Sequence, residues 1–366
     1  MAKILIFDGN RHMRASGYGQ LARSIILSLK RHTHHDLVVQ VRGNSWDDVP
    51  HKEELLTIPE AKSKNYDLVL KIGPPQDLKS INSPTIVYTQ NALGDLRTEW
   101  IDWLKPARAV IVPGEFDSEV FRKYFDNVFI CHQYVDETIF KPNKKYRSEG
   151  SNNLSFLFVG SFGHRKGVDL IFKYFSKAFA HINDPISLTL HCFSGLEKLG
   201  VNQLLEYSKL LPKNISLKVY NGSLSPSWMN RIYNQHDVIL SFSRGEGWCM
   251  PLHEALLCEK VVIAPNSTAM GECLPNFGVR KVHVNNMQVD DISDPFGKSM
   301  IKHYGEQGIF LYEPDEADSI NAIRDVYHNF AKFNSSSKLA RKFILDNYSL
   351  IGMAEKLNNV IISLKN

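Results

Sequence analysis

The fold of this protein is decided by residues 237–265, DVILSFSRGEGWCMPLHEALLCEKVVIAP. Two apolar runs, 237–243 and 260–265, enclose a glycine-rich turn and a helical segment that is predicted to begin at 254–259. Continuous apolar runs of this length are typical of parallel strands that are buried on both faces. A strand, a turn, a helix and a second strand make a βαβ unit, which predicts a parallel sheet.

The rest of the chain repeats this alternation of short strands and amphipathic helices. In the first part, strands are predicted at 3–7, 37–41, 67–73, 85–90, 109–113 and 127–133, and helices at 17–32 and 116–125. After a polar linker at 135–153 the pattern restarts, with strands at 154–160, 187–193 and 215–220 and helices at 168–179, 202–211 and 226–234. The prediction is an α/β protein with two Rossmann-like, doubly wound domains.

The predicted domain organisation has three parts. Residues 1–140 form an N-terminal domain, and residues 141–345 form a C-terminal domain. Residues 346–366 form a helix that packs back towards the N-terminal domain. Residues 282–308 are interpreted as an irregular surface loop, and two or three helices are predicted from residue 315 onward. Because ligands bind at the carboxyl ends of strands in such sheets, we expect the site in a cleft between the two facing domains.

The composition excludes several classes of protein. The net charge of +4, from 43 Lys+Arg and 39 Asp+Glu, is too mild for a dedicated duplex-DNA binder. No apolar run approaches the roughly 20 residues of a membrane span, and the N-terminus is interpreted as a strand and not as a signal peptide. The five cysteines are scattered without a CxxC motif, which predicts reduced thiols and a cytoplasmic location. Peripheral membrane contact by the helix at 17–32 stays open, although one buried face explains its apolar residues more simply.

Glu246 and Glu254 are the residues that raise the question of function, because seven residues separate them around the turn. Two nearby carboxylates could act as an acid and a base, as in glycoside hydrolysis. Glu254 alone could simply be an acidic residue favoured near the start of a helix.

A wider set of motifs resembles the retaining GT-B glycosyltransferases of the large sucrose-synthase-like family, often called family 4. The E-x7-E signature of that family is matched by Glu246 and Glu254, followed by Ala255 and Cys258. Four further landmarks occur in family order: SGYGQLARSI (16–25), VPGEFDSEVFRK (112–123), a looser HQYVD (132–136), and FLFVGSFGHRKGVDLIF (156–172), which contains Lys166-Gly167. Together they extend over most of the chain.

The resemblance implies a role for each matched residue around a nucleotide-diphosphate sugar. Glu246 would accept hydrogen bonds from hydroxyls of the sugar, and Glu254 from the ribose hydroxyls. Lys166 lies where a strand leads into a helix, so its ammonium would face the diphosphate, and Arg165 could add a bidentate grip. The alternative for both basic residues is that they solvate the start of a helix.

Other matched positions would contribute backbone and apolar contacts. Gly247, like Gly245, would let backbone N–H groups approach the ligand. Met250, Pro251 and Leu252 correspond to contacts near the phosphates, although Leu252 fits the core equally well. Gly17 and Gly19 would allow close approach of the donor phosphate or the acceptor, and their alternative is a tight turn between a strand and a helix.

Three positions depart from the family pattern. Ser161 stands where many members carry Arg, and Arg165 could supply the lost charge. Asn91 stands where a His often faces the sugar, so it is a candidate contact that cannot titrate. Gln133 and Tyr134 replace the common His/Asn-Gly. We therefore expect Glu246, Lys166 and Asn91 to act in catalysis, with specificity altered around the sugar and the acceptor.

The function implied by the resemblance is hexosyl transfer, an EC 2.4 activity, from a UDP- or GDP-linked sugar to a hydroxyl acceptor with retention of configuration. The family mechanism works on one face of the sugar and needs no protein nucleophile, no metal and no cofactor beyond the nucleotide-sugar co-substrate. The Asp-x-Asp motif of the other major glycosyltransferase fold is absent from the sequence.

Two alternatives remain open at this stage. The first is a catalytically silent nucleotide-sugar-binding protein, which the changes at Ser161 and Asn91 would suit. The second concerns the acceptor, which the sequence leaves unresolved among glycan, lipid-linked and nucleic-acid hydroxyls. Arg11 and Arg14 could meet a phosphate-bearing acceptor, such as a lipid phosphate or a hydroxymethylated nucleic-acid base, or they could simply belong to a solvated loop.

Overall fold

A computed structural model describes residues 1–9, 11–14, 16–40, 48–62, 66–76, 78, 81, 83–146, 153–193, 198–288 and 309–364. The chain divides into two compact units. The first contains Met1–Asn91, Leu96–Val135 and Asp346–Asn366, and the second contains Ala92–Asp95 and Asp136–Leu345.

The first unit is built on a six-stranded parallel sheet in the order β2-β1-β3-β4-β5-β6. Its strands are β1 Lys3–Phe7, β2 Asp36–Val39, β3 Leu68–Ile72, β4 Thr85–Tyr88, β5 Ala109–Val112 and β6 Val128–Ile130. Its helices are α1 Gly17–His32, α2 Lys52–Leu56, α3 Thr98–Leu104, α4 Glu115–Arg122 and the C-terminal α13 Leu350–Ser363. On one face α1 packs against α13, and Ile25 and Leu29 are buried in the same cluster as Leu357 and Ile361.

The second unit is built on another six-stranded parallel sheet, in the order β12-β11-β10-β7-β8-β9. Its strands are β7 Ser155–Gly160, β8 Ile186–Cys192, β9 Ile215–Asn221, β10 Val238–Leu240, β11 Val261–Pro265 and β12 Val279–Val282. Its helices are α5 Val168–Ala178, α6 Lys198–Ser208, α7 Pro226–Gln235, α8 Met250–Leu257, α9 Thr268–Cys273, α10 Glu316–His328, α11 Phe330–Ser335 and α12 Ser337–Asn347.

Several details differ from the sequence prediction. Helix α6 lies at Lys198–Ser208 and not at 202–211, β10 ends at Leu240 and not at 243, and four described helices, α10 to α13, follow residue 315 where two or three were predicted. Strand β13 (Val284–Gln288) pairs antiparallel with β14 (Phe310–Pro314), and Val282 ends β12, so the prediction of an irregular loop is wrong for 282 and 284–288. Residues 289–308 of that predicted loop lie outside the described residues. Helix α8 begins at Met250, four residues before the predicted start, because Cys249 ends the turn with φ +63° and Pro251 is tolerated in a first helical turn.

The strand order of the second sheet fixes where its ligand site should lie. Strands β7, β8 and β9 extend to one side and β10, β11 and β12 to the other, so β7 and β10 are neighbours at the point where the order reverses. In open α/β sheets, ligands bind outside the carboxyl ends of the strands at this reversal. The relevant loops are therefore those that follow Gly160 and Leu240. In the described part of the chain, no helix combines the length and apolar character needed to cross a bilayer.

Candidate active site

The loops after β7 and β10 bring together three charged side chains. Lys166 lies in a short 3-10 turn, His164–Lys166, that follows β7, and Glu246 lies in the loop after β10. The ammonium nitrogen Nζ of Lys166 is 2.5 Å from Oε1 of Glu246. Arg165 Nη1 is 3.5 Å from Oε2 of the same carboxylate and donates a hydrogen bond to the carbonyl of Gly245 at 2.5 Å. The sequence-predicted Lys166, Arg165 and Glu246 thus form one ionic cluster.

The carboxylate of Glu246 is ionised although it is only 6% exposed. Burial alone would raise its pKa, but the positive charges of Lys166 and Arg165 outweigh burial and hold the pKa below the ordinary value. Glu246 is therefore a buried hydrogen-bond acceptor with two compensating cations beside it.

Two glycines allow the loops to approach this closely. A Cβ on Gly167, whose φ is +68°, would lie 2.0 Å from the carbonyl oxygen of Phe242 at the end of β10. A Cβ on Gly245 would lie 1.8 Å from the carbonyl oxygen of Ala92. Any side chain at either position would push the loop away from its neighbour, so both glycines are required by the local geometry.

Arg244, the residue just before Gly245, is buried and connects several segments of the second unit. Its guanidinium makes two hydrogen bonds to Asp169 in α5, at 2.8 and 2.7 Å, and pairs with Glu313 in β14. It also donates to the carbonyl of His164 at 2.6 Å. Burial would raise the pKa of Asp169, but the hydrogen bonds and charge of Arg244 lower it instead. Arg244 therefore ties together the two loops that carry Lys166 and Glu246.

Thr268 holds the backbone of Glu246 from the other side. Its Oγ1 accepts a hydrogen bond from the N–H of Glu246 at 3.2 Å, and the carbonyl of Glu246 accepts one from the N–H of Ala269 at 3.3 Å. Thr268 has φ +52°, a left-handed conformation that is rare for a β-branched residue. Such a conformation persists only where the surrounding structure enforces it.

Glu254 lies in the second half of α8 and is oriented by a buried tyrosine. The hydroxyl of Tyr233 in α7 donates to Oε2 of Glu254 at 2.7 Å. Burial and the neighbouring carboxylate both raise the pKa of Tyr233 well above its ordinary value, so the phenol remains a donor. The turn before α8 is further fixed by Trp248, which stacks on His253 with ring centroids 4.6 Å apart.

The other predicted residues of the second unit lie near the cluster in the sequence and differ in their exposure to solvent. Met250 and Leu252 are buried, and Leu252 at 1% exposure occupies a core position. Pro251 is half-buried in the first turn of α8, and Gly247 is buried in the loop before it. Ser161 is half-buried and directly follows the last residue of β7.

Three predicted residues, Gly17, Gly19 and Asn91, belong to the first unit. Ser16 caps α1 by accepting a hydrogen bond from the N–H of Gly19 at 3.0 Å. A Cβ on Gly17 would meet no atom within 4 Å, so packing within the described residues does not require a glycine there. The N–H of Asn91 donates to both carboxylate oxygens of Asp117, each at 3.2 Å.

Sequence reasoning missed three residues that shape the cluster: Arg244, Thr268 and Tyr233. Arg244 stands inside the motif, and a basic residue ending a buried strand could have indicated an ion pair. Tyr233 and Thr268 carry no such signal, because their contacts join segments that the sequence keeps apart. Among the described residues, no group of three or more His, Cys, Asp or Glu side chains is arranged to hold a metal ion.

Comparison with known proteins gives one family match, which covers less than half of the chain. Residues 140–299 match the model of the family described as glycosyl transferases group 1. This range contains Lys166, Glu246 and Glu254. Among curated proteins, none matches this sequence.

Solved structures match the whole chain at low sequence identity. Anabaena HepE, solved in complex with UDP and glucose, is 12% identical, with 99% of this chain and 100% of that chain covered and a TM-score of 0.70. The sucrose-phosphate synthase of Thermosynechococcus elongatus is 15% identical, with 99% of each chain covered and a TM-score of 0.70. A glycosyltransferase from Rickettsia africae is 14% identical, with 99% and 97% covered and a TM-score of 0.62. The predicted α/β GT-B fold is confirmed.

Proposed function

We propose that this protein is a retaining glycosyltransferase of family 4 that moves a hexose from a nucleotide-diphosphate sugar to a hydroxyl acceptor. The observation that carries the proposal is the buried Lys166–Glu246 pair at the reversal point of the second sheet. A donor of this kind presents a dianionic diphosphate beside neutral hydroxyls, and the cluster offers cations beside a buried acceptor.

Each charged residue has one role in the proposed complex. Lys166 carries three N–H donors, so it can keep its contact with Glu246 while also donating to a phosphate oxygen. Arg165 adds a second positive charge near the diphosphate. Glu246 accepts hydrogen bonds from hydroxyls of the hexose, and Glu254, oriented by Tyr233, accepts them from the ribose.

The remaining predicted residues complete the donor and acceptor contacts. Gly247, Met250 and Pro251 would present backbone N–H groups or apolar surface to the phosphates, and Ser161 would donate its hydroxyl there. Gly17 and Gly19 would let the start of α1 approach the ligand, an interpretation that the open space around Gly17 supports. Asn91 would contact the sugar through its amide, which can donate or accept a hydrogen bond but cannot titrate.

The chemical step proceeds on one face of the sugar. The bond between the anomeric carbon and the diphosphate oxygen breaks, and the acceptor oxygen forms a new bond to the same face. The acceptor proton passes to the departing diphosphate. Lys166 and Arg165 stabilise the charge that develops on the leaving group, and Glu246 fixes the hexose, so no protein nucleophile, metal or further cofactor takes part.

UDP is the first nucleotide to test, because the Anabaena HepE structures were solved with UDP and glucose; GDP is the second. The acceptor is a hydroxyl compound, and a phosphate-bearing acceptor would suit the exposed side chain of Arg14.

The test is a mass-spectrometric screen for depletion of UDP- and GDP-linked sugars with candidate acceptors. Proton NMR of the product then gives the anomeric configuration. We expect depletion of one donor and a product with the configuration of that donor. An inverted product would overturn the retaining mechanism. Nucleotide binding measured by calorimetry, without turnover of any donor, would instead indicate a silent binding protein.

A further inference from the structure

Polar side chains of β8 and β9 share one face of the second sheet near its edge. In the edge strand β9, Ser216, Lys218 and Tyr220 occupy alternate positions, so they share a face, and all three are exposed. In the neighbouring strand β8, Ser187 lies opposite Ser216 and Thr189 lies opposite Lys218. These exposed residues give this edge of the sheet a surface that can donate and accept hydrogen bonds.

A cavity of about 420 Å³ lies against this polar face. Its further walls come from the start of β7, including Ser155, and from the residues that lead into β10, including His236 and Asp237. Ser155, His236 and Asp237 lie at the amino ends of β7 and β10, whereas Lys166 and Glu246 follow the carboxyl ends of the same strands. The cavity shares no lining residue with the cluster of Lys166, Arg165 and Glu246, and its volume falls within the range of small-molecule pockets.

The ionisable groups of the cavity leave it close to neutral. Burial lowers the pKa of His236, so its imidazole is uncharged at neutral pH. Its Nδ1 is 2.7 Å from the carbonyl of Ile232 and donates there, so Nε2 accepts from the hydroxyl of Thr189 at 2.8 Å. Asp237 accepts from the N–H and the hydroxyl of Ser155, at 3.1 and 3.0 Å. Lys218 and Asp237 thus contribute one positive and one negative charge.

We propose that this cavity binds a neutral saccharide unit. The hydroxyls of Ser187 and Ser216 can both donate and accept hydrogen bonds, which suits the vicinal hydroxyls of a sugar. The hydroxyls of Ser155 and Thr189, which donate to Asp237 and His236, can still accept. Tyr220, 43% exposed at the cavity, offers a flat apolar ring to the less polar face of a pyranose. A phosphorylated ligand would carry about two negative charges. At the cavity these charges would meet one positive charge, that of Lys218, and one negative charge, that of Asp237, so a neutral ligand fits better. This site does not depend on glycosyl transfer, since none of its lining residues belongs to the cluster of Lys166, Arg165 and Glu246.

The test uses saturation-transfer difference NMR on the full chain, with glucose, N-acetylglucosamine and maltose as separate probes. At least one probe should receive saturation from the wild-type protein. Tyr220→Ala and Lys218→Met change exposed side chains and should weaken binding by about three- to tenfold, the effect expected for one lost contact or hydrogen bond. The matched control is Asn221→Ala, which alters the adjacent exposed residue of the same strand, on the opposite face.

Two further arms separate this cavity from other sources of signal. Lys166→Ala disrupts the candidate active site, so sugar binding at the cavity should persist in that variant. Inorganic phosphate should leave the sugar signal unchanged. The proposal is overturned if no probe gives a signal that depends on Tyr220 or Lys218, if Lys166→Ala removes the signal, or if phosphate displaces the sugar.

Discussion

The ammonium of Lys166 lies 2.5 Å from the carboxylate of Glu246, and both side chains are largely removed from solvent. Burying two charges carries a desolvation cost that is offset only while both partners are present. In the proposed complex the same two groups contact adjacent parts of the donor, the diphosphate and the hexose. Their mutual contact therefore fixes the distance between the two subsites before any ligand binds.

Glu246→Gln should lower kcat by about 100-fold, because the amide loses one acceptor and the negative charge beside the hexose. The affinity for UDP should change little, since the diphosphate and ribose contacts remain. Kinetics with the identified donor and calorimetry with UDP measure the two effects. Glu206→Gln is the matched control, because Glu206 forms an exposed ion pair with Lys209 at 2.7 Å. Wild-type turnover in Glu246→Gln would contradict the site assignment.

Lys166→Ala should weaken UDP binding by about tenfold or more, because a partly buried charge-assisted hydrogen bond to phosphate is worth about 1.5–3 kcal/mol. The dissociation constant from calorimetry is the readout. Lys209→Ala, the partner in the control pair, should leave the constant unchanged. An unaltered affinity in Lys166→Ala would place the diphosphate elsewhere.

Tyr233→Phe should weaken binding of UDP by about three- to tenfold, since it removes the hydroxyl that orients Glu254 and nothing else. Ribose-free pyrophosphate should bind the variant as well as the wild type, which separates misplacement of Glu254 from general damage. Tyr327→Phe is the matched control, because Tyr327 makes an equivalent 2.7 Å hydrogen bond to Asp184 on the surface. Equal effects of the two substitutions on UDP affinity would refute the role of Tyr233.

Thr268→Val should destabilise the protein by about 1–3 kcal/mol and lower kcat, because it leaves the buried N–H of Glu246 without its acceptor. Thr268→Ser keeps the hydroxyl and should restore most of the activity. Urea unfolding and steady-state kinetics on both variants distinguish positioning of Glu246 from a purely structural role. If both variants lose kcat equally, the hydrogen bond is not what matters.

Arg244→Met should destabilise the protein by about 3–5 kcal/mol at neutral pH, because it removes the buried guanidinium that pairs with the carboxylates of Asp169 and Glu313. The pKa of Asp169 in the folded wild type lies below its ordinary value of 3.8. The contribution of the pair is therefore fully present above that value and is lost as the pH falls through the lower, folded pKa. In the variant, protonation of Asp169 relieves the penalty.

The difference in unfolding free energy between wild type and Arg244→Met should thus shrink as the pH is lowered towards about 3. Urea titrations across that range measure it. Arg31→Met, which removes a half-exposed pair with Glu54, should cost no more than about 1 kcal/mol. A deficit in Arg244→Met that is constant with pH would show that the charge pair is not its cause.

Much of the fold could be predicted from the sequence, because each buried parallel strand is a continuous apolar run. The strand at 155–160 and the helix at 168–178 were predicted to within one residue for this reason. The start of α8 was not, because the left-handed Cys249 that sets it has no sequence signature. Strand β13 was missed because its residues, Val-Asn-Asn-Met-Gln, are largely polar and exposed.

The residues of the candidate site also divide into those that the sequence could indicate and those that it could not. Lys166 and Glu246 could be proposed from their motifs, but their contact depends on the order of the strands, which periodicity does not reveal. Tyr233 in α7 contacts Glu254, and Thr268 at the start of α9 contacts Glu246. Only the folded chain brings such residues together.

The adjacency of β7 and β10 also has a consequence for how the protein folds. Strands β7, β8 and β9 are neighbours in sequence as well as in space, whereas β7 meets β10 only after a loop of about 80 residues has closed. Contacts of such long range form slowly, and local pairs form first. We therefore expect the contact between Lys166 and Glu246 to form late in refolding. In the proposed complex this contact is part of the donor site, so the onset of nucleotide binding during refolding would report when β7 and β10 pair at the centre of the sheet.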